Sequence, residues 1–201
     1  MHPNPAFRKA STEENLAFAR QRGFGTLAVN GSAGPVLAHV PFVMAEDGTS
    51  VDLHLARSNR VIAEGLPAKS VLSVMGPDAY VSPDWYGVAD QVPTWNYIAV
   101  HLRGELVPMP VEAFRAHLEA LSDQFEVRLA PKRVWKTSKM TEGVMERMMR
   151  MILPFRLMIG EVDGTWKLGQ NKTAEARDGV VAALEALGET GISGAMRALT
   201  E

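Results

Sequence analysis

The chain has 201 residues, 46% hydrophobic and 22% charged, enough for one domain with a sizeable core. Its formal net charge of -2 builds in no global attraction to nucleic acid. It holds no cysteine, which excludes disulfides, thiolate catalysis and thiolate metal sites. No apolar run approaches the ~20 residues that span a bilayer, and the start lacks the apolar core of a secretory signal. The expected compartment is the cytoplasm, with no membrane partner.

Ser11-Thr12-Glu13-Glu14 has the spacing of a capping box, so a helix is expected from there to about Arg22, stopped at Gly23. Phe24 to Val29 reads as a strand, Asn30-Gly31 as a hairpin turn, and Val36 to Val43 as the returning strand. Glu46-Asp47-Gly48 marks a second turn and Ser50 to Ala56 a third strand. A short helix is expected between Arg57 and Gly65. Ser70 to Met75 reads as a core strand, broken by Gly76-Pro77-Asp78 and resumed from Ala79 to Ser82. Pro83 to Pro93 reads as a loop, and Thr94 to Glu105 as a long strand.

Pro110 suits the first position of a helix. Phe114, Leu118, Leu121 and Phe125 then recur at helical spacing through Glu126. His117, between polar neighbours, is expected at the surface. A methionine-rich helix is expected over 142–152, with Met145, Met148, Met149 and Ile152 as core or subunit interface. Arg156 to Val162 reads as the last strand, turned by Asp163-Gly164, and Thr173 to Leu187 as the last helix. The pattern predicts a mainly β fold, an antiparallel barrel with flanking helices. One domain over 1–201 with a C-terminal helical extension is the expected organisation.

Three clusters carry candidate chemistry. The first joins Ala38-His39 to His54-Leu55 and to Arg57-Ser58-Asn59-Arg60. Backbone N–H groups where strand gives way to helix, beside guanidinium groups, suit a phosphate. The same residues read equally well as cross-strand surface histidines and solvated arginines. The second cluster gathers Asp84-Trp85-Tyr86 and Trp95-Asn96-Tyr97 within a short window. Aromatic groups beside a loop suit a flat ring ligand, a protein interface or a satellite core. The third, Lys167 to Lys172 with Gln170 and Asn171, suits an anion or a capped turn. No His/Glu spacing suggests a metal site, and no phosphate-loop, dinucleotide or nucleophile-elbow signature is present.

The blocks HVPF, LHLARSN, GPDAYVSPDWY, VPTWNY and KLGQNK occur in this order. In that order they resemble the PaiB-type FMN-binding negative transcriptional regulators over nearly the whole chain. The resemblance implies a six-stranded antiparallel split barrel of the pyridoxamine-phosphate-oxidase type, working as a homodimer with FMN at the dimer interface. By position, Ala38 and His39 would flank the flavin ring, and His54 and Leu55 would line its ribityl chain. Arg57, Ser58, Asn59 and Arg60 would serve the phosphate. Trp95, Asn96, Gln170 and Asn171 would arrive from the partner subunit. DNA stays open as a partner, although neither charge nor motif supports it. Two alternatives stand beside the regulator: a flavin oxidoreductase using NAD(P)H, and a haem-binding or haem-degrading split barrel with His39 or His54 as ligand.

Overall fold

The computed structural model describes residues 1–199, so the last two residues of the expected 1–201 domain lie outside it. The strands are β1 (Phe24–Gly31), β2 (Gly34–Met44), β3 (Ser50–Ala56), β4 (Ala68–Val81), β5 (Thr94–Pro108) and β6 (Ile152–Lys167). They close into a barrel in the order β1-β2-β3-β6-β5-β4. The helices are α1 (Thr12–Arg22), α2 (Arg60–Ala63), α3 (Phe114–Glu126), α4 (Val144–Met149), α5 (Ala174–Ala186) and α6 (Thr190–Arg197). No helix is long and apolar enough to cross a membrane among the described residues.

Contacts divide the chain into two units. One holds Met1–Asn15, Met75–Val100 and Asp163–Glu201; the other holds Leu16–Val74 and His101–Val162.

In the larger unit, β1 shows strict alternation, with Leu27 and Val29 buried and Thr26 and Ala28 facing outward. Val51, Leu53 and Leu55 do the same on β3. Ala28 pairs with Leu37 on one side and Val71 on the other, which fixes the register of β2-β1-β4. The hairpin turns at Ser32-Ala33, two residues beyond the expected Asn30-Gly31. Asn30 stays in the ladder opposite Pro35, and Gly34 supplies the positive φ of 112°. Helix α3 buries Phe114, His117 and Leu121, spaced three and four apart. Gln124 pins its far end by donating to the Phe42 carbonyl at 3.0 Å. The methionine helix is shorter than expected, and its stripe is not core: Met148 is 50% exposed, and Met145, Met149 and Ile152 are only half-buried.

In the smaller unit, Asn15 accepts from Trp166 Nε1 at 2.9 Å and donates to the Ser11 carbonyl at 2.9 Å. Gly164 lies against that amide: a Cβ there would meet Asn15 Oδ1 at 2.0 Å. Asp163-Gly164 is therefore no turn. The glycine marks a close approach, and β6 runs on to Lys167. Gly76-Pro77-Asp78 does not end β4 either, because the φ of proline is compatible with extended backbone. The expected loop after β4 folds its first residues, Pro83–Tyr86, into a 3-10 turn capped by Ser82. Helix α5 packs on that turn, where a Cβ at Gly179 would sit 2.4 Å from the Trp85 carbonyl oxygen. Helix α6 follows Gly188 directly and was not legible in the apolar spacing.

Candidate functional site

The first cluster lies entirely in the larger unit, and strand alternation sorts it. Ala38 and Leu55 are buried with the inward-facing residues, so only their backbones are available to a ligand. His39 is exposed on the outer face, with Nδ1 3.0 Å from Thr26 Oγ1. Thr26 in turn pairs with Ser73, so His39, Thr26 and Ser73 form one polar rung across β2-β1-β4. The next outward rung, Leu37-Ala28-Val71, is apolar and flat.

His54 faces outward from β3 but is covered by α3. Its Nδ1 lies 3.3 Å from His117 Nε2, and Phe114 packs against both rings. The expected surface position of His117 is thus corrected: the residue is 4% exposed. It sits three residues after Phe114 and four before Leu121, on the apolar stripe, and this spacing outweighs its polar neighbours in sequence. Burial pushes the His54 imidazole below its ordinary value. His117 is pushed down to about 4, first by burial and then by His54 and Arg156, with Asp52 opposing. Asp52 itself holds Arg156 in a two-pronged pair at 2.6 and 2.8 Å. Of the two histidines considered as haem ligands, His39 is the one with an exposed ring.

The polar stretch after β3 forms a rim. Asn59 caps α2, its Oδ1 accepting from the Val61 N–H at 3.0 Å. Arg57 donates through Nε to the Arg150 carbonyl at 2.6 Å. Ser58 and Arg60 are exposed, and Arg60 has no acidic partner among the described residues. Asn59 and Arg60 line a cavity of about 390 Å³ with residues 33–37 of the β1–β2 hairpin. A guanidinium and a hydroxyl beside a concave surface fit a phosphate ester.

The remaining four candidates lie in the smaller unit. Trp95 is 54% exposed and meets Tyr80 edge-on at 6.3 Å. Its carbonyl accepts from Lys167 Nζ at 2.8 Å. Asn96 is 2% exposed, and its amide donates to Met196 Sδ on α6. Gln170 folds back on its own turn, accepting from the Leu168 N–H and donating to the Trp166 carbonyl. Asn171 is exposed. Lys172 lies over the Tyr86 ring at 4.9 Å and donates to Gln91.

Sequence reasoning missed a concentration of charge. Eight basic and two acidic residues lie between 127 and 156. The segment runs back along α3, through the pairs Lys132–Glu126, Lys136–Asp123 and Arg115–Glu146. Arg133, Arg147 and Arg150 are exposed and form no ion pair with a carboxylate among the described residues, and the exposed Lys139 acts on Glu126 only through its charge. A charge count in windows, in place of the whole chain, would have found this strip. The described residues hold no group of three or more side chains suited to a metal ion.

Residues 1–161 match the family described as "Putative FMN-binding domain". The protease synthase and sporulation protein PAI 2 of Bacillus subtilis is 27% identical over 169 residues, covering 83% of this chain and 80% of that one. Among solved structures, the FAD and heme binding protein from Mycobacterium smegmatis superposes with a TM-score of 0.59 at 21% identity, over 88% of this chain and 80% of the other. The flavocytochrome Anf3 from Azotobacter vinelandii does so at 0.55 and 14% identity, over 83% and 72%. At such identities the solved structures speak for the fold. The family match spans residues 1–161, which hold four of the five ordered sequence blocks, and the barrel is the one those blocks imply: the chain belongs to the PaiB-type family of FMN-binding domains, built as a split barrel.

Proposed function

We propose that the chain binds FMN on the outer face of its larger unit, with the phosphate at the rim of Arg57, Ser58, Asn59 and Arg60. The observation that carries this reading is Arg60, an exposed guanidinium at a cavity mouth with no acidic partner of its own. A phosphate ester carries between one and two negative charges near neutral pH and is met by a guanidinium fork. Arg57 adds charge from a fixed position, since its Nε is already committed to the Arg150 carbonyl. The flat rung Leu37-Ala28-Val71 offers a surface for the isoalloxazine, beside the polar rung of His39, Thr26 and Ser73. When bound, the flavin supplies electron or hydride transfer. The residues here bind and orient it.

The homodimer belongs to the same proposal. Trp95 and Asn171, exposed on the smaller unit, are the members of their cluster free to reach a flavin held by a second copy. Asn96 and Gln170 spend their amides within their own unit and serve as supports. The test is a flavin titration of the purified protein against Arg60→Ala, with sedimentation of the loaded complex followed at the flavin absorbance.

Regulation, which the family resemblance implies, is assigned in this proposal to the basic strip between 127 and 156. Its exposed cations, Arg133, Lys139, Arg147 and Arg150 among them, supply locally the positive surface that a net charge of -2 hides. In a gel shift at physiological salt with double-stranded DNA from an upstream region, binding is expected, and the double variant Arg147→Glu/Arg150→Glu removes it. No binding of the unaltered protein to any upstream region would rule out direct contact.

A further inference from the structure

The smaller unit holds a cavity of about 430 Å³ between the N-terminal segment, the end of β6, and helices α5 and α6. Most of its wall comes from residues beyond 161, where the family match ends. Neither Trp95 nor Asn171, the two side chains given to the flavin of a second copy, lines it. Gln170 does, but its amide is spent on the Leu168 N–H and the Trp166 carbonyl. Trp166, Leu168 and four alanines, at 6, 10, 195 and 198, give the cavity apolar surface of little bulk. The indole of Trp166 is fixed in place, since its Nε1 donates to Asn15 Oδ1 at 2.9 Å. Lys9 and Arg177 bring two cations to the wall, and Glu14 one carboxylate. Glu14 is already engaged in the capping box, accepting from the Ser11 N–H at 2.6 Å. Arg177 is half-buried, and its guanidinium makes no hydrogen bond or ion pair among the described residues. Glu175 meets it only through charge. The stem of Arg177 rests on Gly169, where a Cβ would lie 3.4 Å from its Cγ.

We propose that this cavity binds a small aromatic carboxylic acid as its monoanion. The unpartnered guanidinium of Arg177 is the anchor: a planar fork of donors, partly withdrawn from water, matches a carboxylate in a bidentate pair. Lys9 adds a second positive charge from its exposed position. Two cations against one carboxylate leave a single positive charge, which a monoanion balances. A phosphate dianion would exceed it and meet Glu14. The apolar part of the wall needs an apolar body, and a flat ring fits beside an indole whose place is fixed. The volume lies toward the low end of small-molecule sites and suits one or two rings. A purely apolar ligand would leave the guanidinium unpaired, and an inorganic anion would leave the tryptophan and the alanines uncovered. The cavity does not depend on the flavin reading, since none of its residues belongs to the rim. Lys9 and Arg177 come from opposite ends of the unit's sequence, so an occupant held by both ties the N-terminal segment to α5 and raises the melting temperature.

The experiment is calorimetric titration of the full chain with benzoate, 2-naphthoate, the neutral 2-naphthamide and inorganic phosphate, with a thermal melt of each mixture. It is repeated on Arg177→Met, which removes the charge and keeps the stem, and on Ala195→Leu, which fills the cavity. Circular dichroism confirms that each variant is folded. At least one of the two acids is expected to saturate the unaltered protein at one per chain and to raise its melting temperature. Its affinity is expected to fall about tenfold or more in Arg177→Met and in Ala195→Leu, while FMN affinity holds within about twofold in both. The naphthamide is expected to bind about tenfold more weakly than the naphthoate, and phosphate not to compete with either acid. The comparison of acid with amide uses the unaltered chain and stands whatever the variants do. Saturation by neither acid overturns the proposal. So does equal affinity in the parent and both variants, an amide that binds as tightly as its acid, or phosphate that displaces the acid. A loss of FMN affinity in Arg177→Met as large as the loss of acid affinity overturns it as well. Acid binding without FMN binding would remove the rim reading and uphold the cavity.

Discussion

Replacing Gly104 by alanine is expected to unfold the barrel or cost it at least about 3 kcal/mol, a large share of the stability of a typical domain. Gly104 sits on β5 where β6 comes closest. A Cβ there would lie 1.8 Å from the Met158 carbonyl oxygen, 2.8 Å from its carbon and 3.2 Å from Ile159 Cα. All three atoms are backbone, so no flexible side chain can swing aside, and the strand itself would have to move. Gly160 is the internal control. It lies two residues beyond Met158, is exposed, and has open space above it. Gly160→Ala is expected to stay within about 1 kcal/mol of the parent. Urea denaturation of both variants decides the matter. A Gly104→Ala protein as stable as the parent would mean that β5 and β6 do not approach as described.

The second large effect concerns acid. His54 and His117 face each other in a contact that needs one N–H and one bare nitrogen. The Nδ1 of His117 is buried with no hydrogen-bond partner among the described residues. Donation from His117 Nε2–H to His54 Nδ1 leaves that buried atom as an unpaired acceptor, the milder of the two arrangements. The folded-state pKa of His117, about 4, lies below its ordinary 6.5. Between those values the unfolded chain takes up a proton that the native state refuses. The stability is therefore whole above pH 6.5 and falls as the pH drops through that window. His54, shifted in the same direction by burial, adds to the slope. Asp52 opposes it by attracting the proton, and Arg156 cancels part of that pull. The loss between neutral pH and pH 4 is expected to be on the order of 2 kcal/mol. In His117→Phe the ring remains but cannot charge, so the melting temperature should fall less on acidification. Equal slopes in the parent and the variant would remove the histidine pair from the account.

The fold was legible wherever pattern and burial coincide. The strand at Phe24, the partly alternating strand over Ser50 to Ala56, the Ser11–Glu14 capping box and the stripe of α3 all come from short-range pattern, and the structure bears them out. The errors share a cause. Gly31 and Gly164 read as turns and Gly76 as a strand break because glycine permits them, whereas all three remain in strands. For Gly164 the reason is an approach by Asn15, a residue far away in sequence, which no local window contains. His117 was misplaced because its neighbours in sequence outweighed its neighbours one turn away. The candidate rim was legible as a set of residue types. Its sorting into outward His39 and inward Ala38 and Leu55 needed the register of the barrel.

On the proposed reading, Arg60 holds FMN by its phosphate. Fluorescence titration of FMN into the purified protein and into Arg60→Ala tests it most directly. Saturation at one flavin per chain is expected. In Arg60→Ala the affinity is expected to be about tenfold to a hundredfold weaker, the cost of losing one charge-assisted contact. Failure to saturate, or equal affinity in the two proteins, would contradict it.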